Sequence, residues 1–255
     1  MANFAIVFSP TGGTKKVSEI ITKEIDANWM TIDLCISESE FVAPSLTSED
    51  VCLIAVPSFA GRVPKTVTDR IRKISGNGAK AILLCVYGNR EYDDTLSELQ
   101  DEAEKAGFLC ISAVSAIAEH SIVRKFAKGR PDADDCNKLK EFALKIKEKI
   151  ENKDFVLYAE IPGKHKEYKE VSKSKLLPKT NDLCVKCGIC AKGCPASAID
   201  VRNLEFTDSE KCIACMKCIS ICPENTRFLD EELLAGLAER LSKVCSIRKN
   251  NELFI

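Results

Sequence analysis

Two short cysteine-rich runs near the end of the 255-residue chain constrain its fold more than any other feature. They read CVKCGICAKGCP, beginning at Cys184, and CIACMKCISICP, beginning at Cys212. Both have the spacing C-x2-C-x2-C-x3-C-P, so one run is an internal repeat of the other. Together they hold eight of the 14 cysteines of the chain. Disulfides are not expected in a reducing cytosol, so this crowding indicates metal binding.

The spacing of both runs resembles that of the bacterial two-cluster ferredoxins, in which the fourth cysteine of each run binds the other cluster. This resemblance implies two 4Fe-4S clusters. Cluster 1 would be held by Cys184, Cys187, Cys190 and Cys222, and cluster 2 by Cys212, Cys215, Cys218 and Cys194. The alternative is a pair of zinc sites, because C-x2-C pairs also bind zinc. Four cysteines in one tight run followed by proline fit a zinc site poorly.

Residues 1–155 alternate between short apolar runs and segments of helical periodicity. The apolar runs predict buried strands of a parallel sheet at residues 3–8, 51–56, 81–87 and 108–116, with residues 29–34 as a more polar fifth strand. Helical stripes lie at residues 17–25 and 139–150. The alternation predicts a doubly wound α/β domain with a five-stranded parallel sheet, whose ligands bind at the carboxyl ends of the strands.

The remainder of the chain divides into three segments of different character. Residues 156–180 are rich in lysine and serine and predict a linker. Residues 181–229 form the cysteine-rich module, expected to be a small α+β ferredoxin domain. Residues 230–255 predict a C-terminal helix and tail, with Leu233, Leu237, Leu241 and Val244 on the buried face of the helix.

A glycine-rich loop, SPTGGTKK (residues 9–16, loop 1), follows the first apolar run and precedes a helical segment. Its candidate phosphate-binding residues at the helix N-terminus are Ser9, Thr11, Gly12, Gly13 and Thr14. The loop lacks the spacing of a nucleoside-triphosphate loop and the three glycines of a dinucleotide loop. Its hydroxyls suit a terminal phosphate, and the S-x-T-G-x-T stretch resembles the FMN phosphate loop of flavodoxins. The alternative is a glycine-rich turn capped by Thr14.

Two further loops follow predicted strands: PSFAGRVP (residues 57–64, loop 2) and YGNREYDD (residues 87–94, loop 3). These stretches resemble those of the flavodoxin-ferredoxin fusion proteins of anaerobes, and that resemblance covers essentially the full chain. It implies FMN contacts from Pro57, Ser58, Phe59, Ala60, Gly61, Tyr87, Gly88, Asn89, Arg90 and Tyr92. Phe59 and Tyr92 would contact the faces or the edge of the flavin ring.

Three basic residues near these loops admit both a structural and a functional interpretation. Arg62 and Arg90 stand where flavodoxins usually carry acidic residues, and either one near the ring would stabilise the anionic reduced flavin and make its potential less negative. The alternative is that both are solvated surface charges. His120, after the fifth strand, is either a hydrogen-bonded loop histidine or a proton donor to the flavin.

The function that these features predict is electron transfer between FMN and two 4Fe-4S clusters, without a bond-making catalytic residue. The alternative is a flavin-dependent oxidoreductase that reduces a small molecule. A formal net charge of −1 with dispersed charges argues against nucleic-acid and membrane-surface binding. The lack of a signal sequence or transmembrane stretch predicts a cytoplasmic protein. Redox partner proteins are expected, while their identity and the oligomeric state stay open.

Overall fold

A computed structural model of the protein describes residues 2–171 and 174–255. Residues 172 and 173 of the predicted linker lie outside the described residues. The strands are β1 (Asn3–Val7), β2 (Met30–Asp33), β3 (Val51–Pro57), β4 (Lys80–Tyr87), β5 (Leu109–Ile117), β6 (Lys179–Thr180), β7 (Arg227–Phe228) and β8 (Glu252–Phe254). The helices are α1 (Gly13–Ile25), α2 (Lys65–Ile71), α3 (Thr95–Lys105), α4 (Ala133–Glu151), α5 (Ile189–Lys192), α6 (Lys217–Ser220) and α7 (Glu231–Ser242).

The large sheet has the strand order β2-β1-β3-β4-β5-β8. Its first five strands are parallel, and the order 2-1-3-4-5 is that of the flavodoxin-like doubly wound fold. The predicted fold class is therefore confirmed. The sixth strand, β8, was not predicted; it pairs antiparallel with β5 through three residues only. A strand this short carries no readable periodicity, so the sequence predicted five strands.

Apolar strands and amphipathic helices build two cores, one on each face of this sheet. Helices α1 and α4 cover one face with the predicted stripes, including Ile21 and Ile146, both fully buried. Helices α2 and α3 cover the other face, where Ile71 and Leu99 are also fully buried. Because both faces are covered, the central strands are apolar at nearly every position. The carboxyl ends of the strands remain available for ligand-binding loops.

The cysteine-rich module has an internal symmetry that follows the sequence repeat. Strands β6 and β7 pair antiparallel, and each cysteine run contains one short helix, α5 or α6. Both helices start after a residue in the left-handed conformation, Gly188 with φ 75° and Met216 with φ 61°. The repeated spacing therefore folds twice into the same turn and helix.

The C-terminal helix α7 buries a different face from the one that was predicted. Leu233 and Val244 are exposed, whereas Leu241 and Cys245 are buried. Leu234, Leu237 and Leu241 pack with Val123 and Phe126, which belong to the loop after β5. The stripe is rotated because α7 covers this loop. The prediction that Leu233 and Val244 are buried is wrong.

The two modules are joined by reciprocal hydrogen bonds as well as by the chain. Arg70 of α2 is buried and donates to the backbone carbonyl of Pro195, 2.9 Å away. In the other direction, Lys217 of α6 donates to the carbonyl of Cys35 at 2.8 Å, and the hydroxyl of Ser220 donates to that of Pro10 at 3.4 Å. Together these contacts fix the cysteine-rich module against the loops of the large sheet.

Across residues 2–171 and 174–255, no helix combines the length and the apolar character needed to span a membrane.

Candidate electron-transfer site

A cleft of about 800 Å³ lies at the carboxyl ends of the parallel strands. This is the place where doubly wound folds bind ligands, and the volume lies within the usual range for ligand pockets. Three predicted loops and the loop after β5 form its walls. The linker contributes Val171 and Leu176, and the cysteine-rich module contributes Cys212, Ile213 and Ala214. The cleft is thus lined by both modules.

Loop 1 brings hydroxyls and backbone amides to one end of this cleft. Thr11, Gly13 and Thr14 line the wall at the start of α1. Gly12 precedes the helix in the left-handed conformation, with φ 89°, so the helix starts without a side-chain cap. The first turn of α1, all of it described, holds no acidic residue. These donors at the positive end of a 13-residue helix fit a phosphate group.

Ser9 shapes loop 1 without lining the cleft. Its hydroxyl accepts a hydrogen bond from the amide of Lys15 at 2.9 Å, and its own amide donates to the sulfur of Cys35. Lys16 points away from the phosphate end and donates to the carbonyl of Pro131. In this structure Ser9 supports the loop and Lys16 anchors α1.

Loop 2 forms a tight turn on a second wall of the cleft. Phe59 and Arg62 exchange backbone hydrogen bonds of 3.0 and 3.1 Å, and Pro57, Ser58, Ala60 and Gly61 line the wall with them. Gly61 has φ 81°, and an added Cβ would collide with the Asp93 carboxylate. Only glycine fits there, because the backbone of loop 2 passes so close to loop 3.

Loop 3 supplies a third wall through Tyr87, Gly88 and Arg90. A Cβ on Gly88 would lie 2.6 Å from Cδ2 of His120, so the imidazole packs directly on the glycine backbone. Glycine at this position therefore lets His120 reach the wall of the cleft.

Two residues of loop 3 lie away from the cleft, which corrects the sequence-based assignment. Tyr92 is buried with its ring 5.3 Å from that of Tyr87, and its hydroxyl donates to Glu252 of β8. Asn89 is also buried and donates to the carbonyls of Cys245 and Ile247. Both hold the C-terminal tail on loop 3, because that tail offers partners that the loop sequence alone does not reveal. Neither residue lines the cleft as it was predicted to do.

Both arginines beside the cleft are paired with carboxylates. Arg62 makes a bidentate pair with Glu98 at 2.6 and 2.7 Å and stacks over the Tyr168 ring of the linker. Arg90 pairs with Asp93. The positive charge that the sequence predicted beside the flavin is therefore largely neutralised within the protein. Arg62 also connects loop 2 to α3 and to the linker.

His120 lies on the cleft wall with one ring nitrogen already occupied. Its Nδ1 accepts hydrogen bonds from the amides of Ile122 and Val123, each at 3.1 Å. Burial, aided by the charge of Arg90, lowers the pKa of His120 below its ordinary value. The neutral ring must then carry its proton on Nε2. His120 is thus a hydrogen-bonded loop histidine that also presents one N–H donor at the cleft.

Cys184, Cys187, Cys190 and Cys222 line one small cavity of the cysteine-rich module, the cluster 1 site. The structure therefore brings together the set that the resemblance implied. Cys187 is exposed, and so are Leu183, Val185 and Val201 around it. This site faces away from the sheet.

Cys212, Cys215, Cys218 and Cys194 form the second group, the cluster 2 site. Burial, and after it the charge of Cys194, raises the pKa of Cys215 and Cys218 to about 12. Cys212 also feels the charge of Cys194, and it lies on the wall of the large cleft. Among the described residues no three potential ligands converge as they would around a single metal ion.

The six other cysteines lie outside these two sites. Cys35, Cys52, Cys85, Cys110 and Cys245 are buried, and Cys136 is partly exposed. Burial raises the pKa of the Cys35 and Cys52 thiols to about 12, which keeps them protonated and unreactive.

Several residues of the cleft were missed by sequence reasoning. Ile213, Leu237 and Leu241 line it although they lie more than 200 residues after loop 1. Glu98 was also missed, and it was hidden in the amphipathic pattern of α3. The x-x positions between the cysteines of the second run were a signal for Ile213, because a residue between two cluster ligands must lie beside that cluster. No local signal marked Leu237.

Fold and site together define a flavodoxin-like domain joined to an iron-sulfur module. Residues 177–223 match the model of the 4Fe-4S dicluster domain family. A stretch of 42 residues is 50% identical to part of an ion-translocating oxidoreductase complex of Methanosarcina acetivorans, in one of its component proteins. That match covers 16% of this chain and 16% of the relative.

Solved structures similar to the N-terminal part include a flavodoxin of Streptococcus pneumonia TIGR4, with 15% identity and a TM-score of 0.41 over 58% of this chain and 99% of that one. A flavodoxin, WrbA-like protein from Agrobacterium tumefaciens has 16% identity and a TM-score of 0.42 over 60% and 99%. The strand order β2-β1-β3-β4-β5 itself defines the N-terminal fold. The predicted combination of a flavodoxin-like domain and a 4Fe-4S dicluster domain is confirmed.

Proposed function

We propose that this chain is an electron-transfer protein that binds FMN in the large cleft and passes electrons between the flavin and two 4Fe-4S clusters. The single observation that carries the proposal is that Cys212, a ligand of cluster 2, lies on the wall of the cleft with Ile213 and Ala214. A flavin bound there would share a wall with cluster 2. When bound, FMN exchanges one or two electrons and each cluster exchanges one, so the protein would link one-electron and two-electron partners.

The donor groups at the two ends of the cleft support FMN as the ligand. Thr11, Thr14 and the amides at the start of α1 suit its phosphate. Phe59, Gly61 and Gly88 offer an apolar side chain and close backbone for a flat ring. Loop 2 is held in place by the pair of Arg62 and Glu98, so this part of the cleft is organised before the ligand binds.

The position of cluster 1 supports an order for electron transfer. Its site is turned toward solvent, where Leu183 is 75% and Val185 is 63% exposed beside the exposed ligand Cys187. We therefore propose that separate redox partner proteins exchange electrons at cluster 1, and that cluster 2 connects it to the flavin. The name of the Methanosarcina relative, which places it in an oxidoreductase complex, agrees with electron transfer by this module.

The proposal is tested first by composition. Protein purified without oxygen should contain about eight iron atoms, matching acid-labile sulfide, and one FMN per chain. Zinc in place of iron, or the absence of flavin in a protein that also fails to bind added FMN, would contradict it. Rapid reduction of the clusters should then be followed by reduction of the flavin at a rate that does not depend on protein concentration. A rate proportional to concentration would show that the transfer occurs between molecules.

A second candidate function rests on His120. Its Nε2–H donor faces a cleft of about 800 Å³, which offers room for a small molecule beside a flavin. In this case the flavin would supply electrons and His120 a proton to a small acceptor, such as a quinone. The comparison of His120→Gln with His120→Ala tests it by steady-state quinone reduction. A proton donor is indicated if turnover falls in both variants while flavin reduction by the clusters keeps its rate.

A further inference from the structure

The side chain of Arg227 is buried beside the cluster 1 site with most of its hydrogen-bond donors unused. Arg227 belongs to β7 and is 3% exposed. Its Nη2 donates to the carbonyl of Leu204 at 2.9 Å. Nε and Nη1 are buried and have no hydrogen-bond partner within the described part of the chain. A buried guanidinium with unpaired donors is costly, so it calls for a partner that binds there.

The cavity that Arg227 lines is the one formed by the four cysteines of cluster 1. Thr180, paired with Arg227 across the β6–β7 ladder, lines the same cavity, and its buried hydroxyl also lacks a partner within the described residues. Two neighbouring side chains thus leave buried donors without protein acceptors at one site. The inorganic sulfides and cysteine sulfurs of a 4Fe-4S cluster are acceptors that would satisfy these donors.

No described aspartate or glutamate forms an ion pair with Arg227. Its charge reaches the ligands of both clusters, because it acts on the thiols of Cys190 on one side and of Cys218 on the other. The guanidinium therefore stands between the two cluster sites as an uncompensated positive charge. Such a group favours whichever state of a nearby cluster is more negative.

We infer that Arg227 donates hydrogen bonds to the sulfur atoms of cluster 1, with Thr180 as a second donor, and thereby makes cluster 1 easier to reduce. The inference rests on the proposed function in so far as the clusters must be bound. Reduction adds one electron from the donor to the cluster, and no covalent bond forms or breaks. The added negative charge strengthens the hydrogen bonds from a guanidinium that stays protonated. Arg227 is thus a tuning residue that does not itself accept electrons.

Stepwise replacement of Arg227 separates its charge from its hydrogen bonds. Arg227→Met removes both, Arg227→Lys keeps the charge, and Arg227→Gln keeps a neutral donor. In the full chain loaded with its clusters, Arg227→Met should lower the equilibrium constant for reduction of cluster 1 about tenfold, which is a potential about 59 mV more negative. The potential of cluster 2 should move less. Voltammetry of both cluster couples measures these changes.

Arg202 provides a matched control in the same module. It is an exposed arginine paired with Asp200 at 2.7 Å, so Arg202→Met should leave both potentials unchanged. A potential of cluster 1 that stays the same in Arg227→Met, in protein with full iron content, would overturn the inference. Full iron content with an unchanged potential leaves the proposed function standing, whereas missing clusters in the unaltered protein refute that function instead.

A second measurement does not depend on how the variants fold. Pulsed EPR of the unaltered protein with cluster 1 reduced should detect exchangeable protons close to the cluster, and their signals should vanish after transfer to D2O. Signals that persist in Arg227→Met and Thr180→Val at full intensity would assign these protons to the backbone and overturn the inference. Their loss in Arg227→Met, with a smaller loss in Thr180→Val, is the expected result.

Discussion

The two cluster sites are built from repeated sequence and nearly the same local fold, yet their surroundings differ. The cluster 1 site faces solvent with its ligand Cys187 exposed, and it contains the unpaired donors of Arg227. The cluster 2 site is more enclosed and places Cys212 on the wall of the large cleft. The spacing of the cysteines specifies the metal chemistry, while the contacts of each run with the rest of the chain assign the two sites different roles.

The largest expected effect comes from removing one cluster at a time. Cys215→Ala should eliminate cluster 2 and with it the electron transfer between the flavin and cluster 1. Cys187→Ala should eliminate cluster 1 but leave transfer between cluster 2 and the flavin intact. Each variant should retain about four of eight iron atoms. Iron analysis and rapid-mixing absorbance measure the two results.

Cys136→Ala is the control for this pair, since Cys136 lies on α4 outside both sites. It should retain full iron content and the full rate of transfer. If Cys187→Ala with half the iron no longer reduces the flavin, the proposed order of the clusters is wrong.

A smaller effect should follow from loosening the contact between the modules. Arg70 is buried and donates to the carbonyls of Leu34, Ile36 and Pro195. Arg70→Met leaves these carbonyls without their charged donor, which should cost about 3 kcal/mol of unfolding free energy. Transfer between cluster 2 and the flavin should slow, while the potential of the distant cluster 1 should not change. Denaturant unfolding and rapid mixing measure the two quantities.

Arg72 follows closely on the same helix end and pairs with Glu102 at the surface, so Arg72→Met is the matched control. It should cost no more than about 1 kcal/mol and leave the transfer rate unchanged. Equal slowing in both variants would mean that Arg70 does not hold the modules in register.

An added methyl group in the cleft should separate flavin binding from cluster binding. The Cβ of Gly88→Ala would lie 2.6 Å from the His120 ring and must displace it. Overpacking of this kind costs about 1–3 kcal/mol, so FMN should bind about tenfold more weakly. Both clusters should be retained. Fluorescence titration of the flavin measures the change.

Gly236→Ala offers a control, because an added Cβ on α7 meets no atom within 4 Å. Its FMN affinity should equal that of the unaltered chain. Unchanged affinity in Gly88→Ala would place the flavin away from loop 3.

The smallest effect concerns the linker, which reaches the cleft beside cluster 2 through Val171. Before that point it is held on α3 by Asp101, which accepts hydrogen bonds from His165 at 3.0 Å and Tyr168 at 2.5 Å. The hydrogen bond and the charge of Asp101 raise the pKa of His165. This contact stabilises the fold fully below the ordinary histidine pKa, and its contribution is lost as pH rises through the raised pKa. At a partly exposed site it should amount to at most about 1 kcal/mol.

Limited proteolysis of the linker should therefore become faster as pH rises above neutrality. His165→Gln should remove this pH dependence. The chain has two histidines, and His120 has its pKa lowered, so its titration acts at lower pH. A pH dependence that survives in His165→Gln would rule out this contact as its origin.

The fold and the ligand sets could be predicted from sequence to different depths. Parallel strands buried on both faces, such as β3 and β4, are readable as apolar runs, and cysteine spacing is a local pattern. The orientation of Tyr92 and Asn89 was not readable, because their partners Glu252 and Cys245 lie more than 150 residues away in the sequence. The face of α7 was mistaken because helical periodicity gives a stripe without naming the surface that it meets.

The place of β8 at the edge of the large sheet has a consequence for the architecture of the whole chain. Strand β8 pairs with β5, so the chain leaves the flavodoxin-like domain after α4 and returns to it after the iron-sulfur module. That module is therefore an insertion with two attachment points, and not an appendage on a single tether. Two attachments restrict its diffusion far more than one and keep its effective concentration at the cleft high. Electron exchange across the cleft would then need no encounter step.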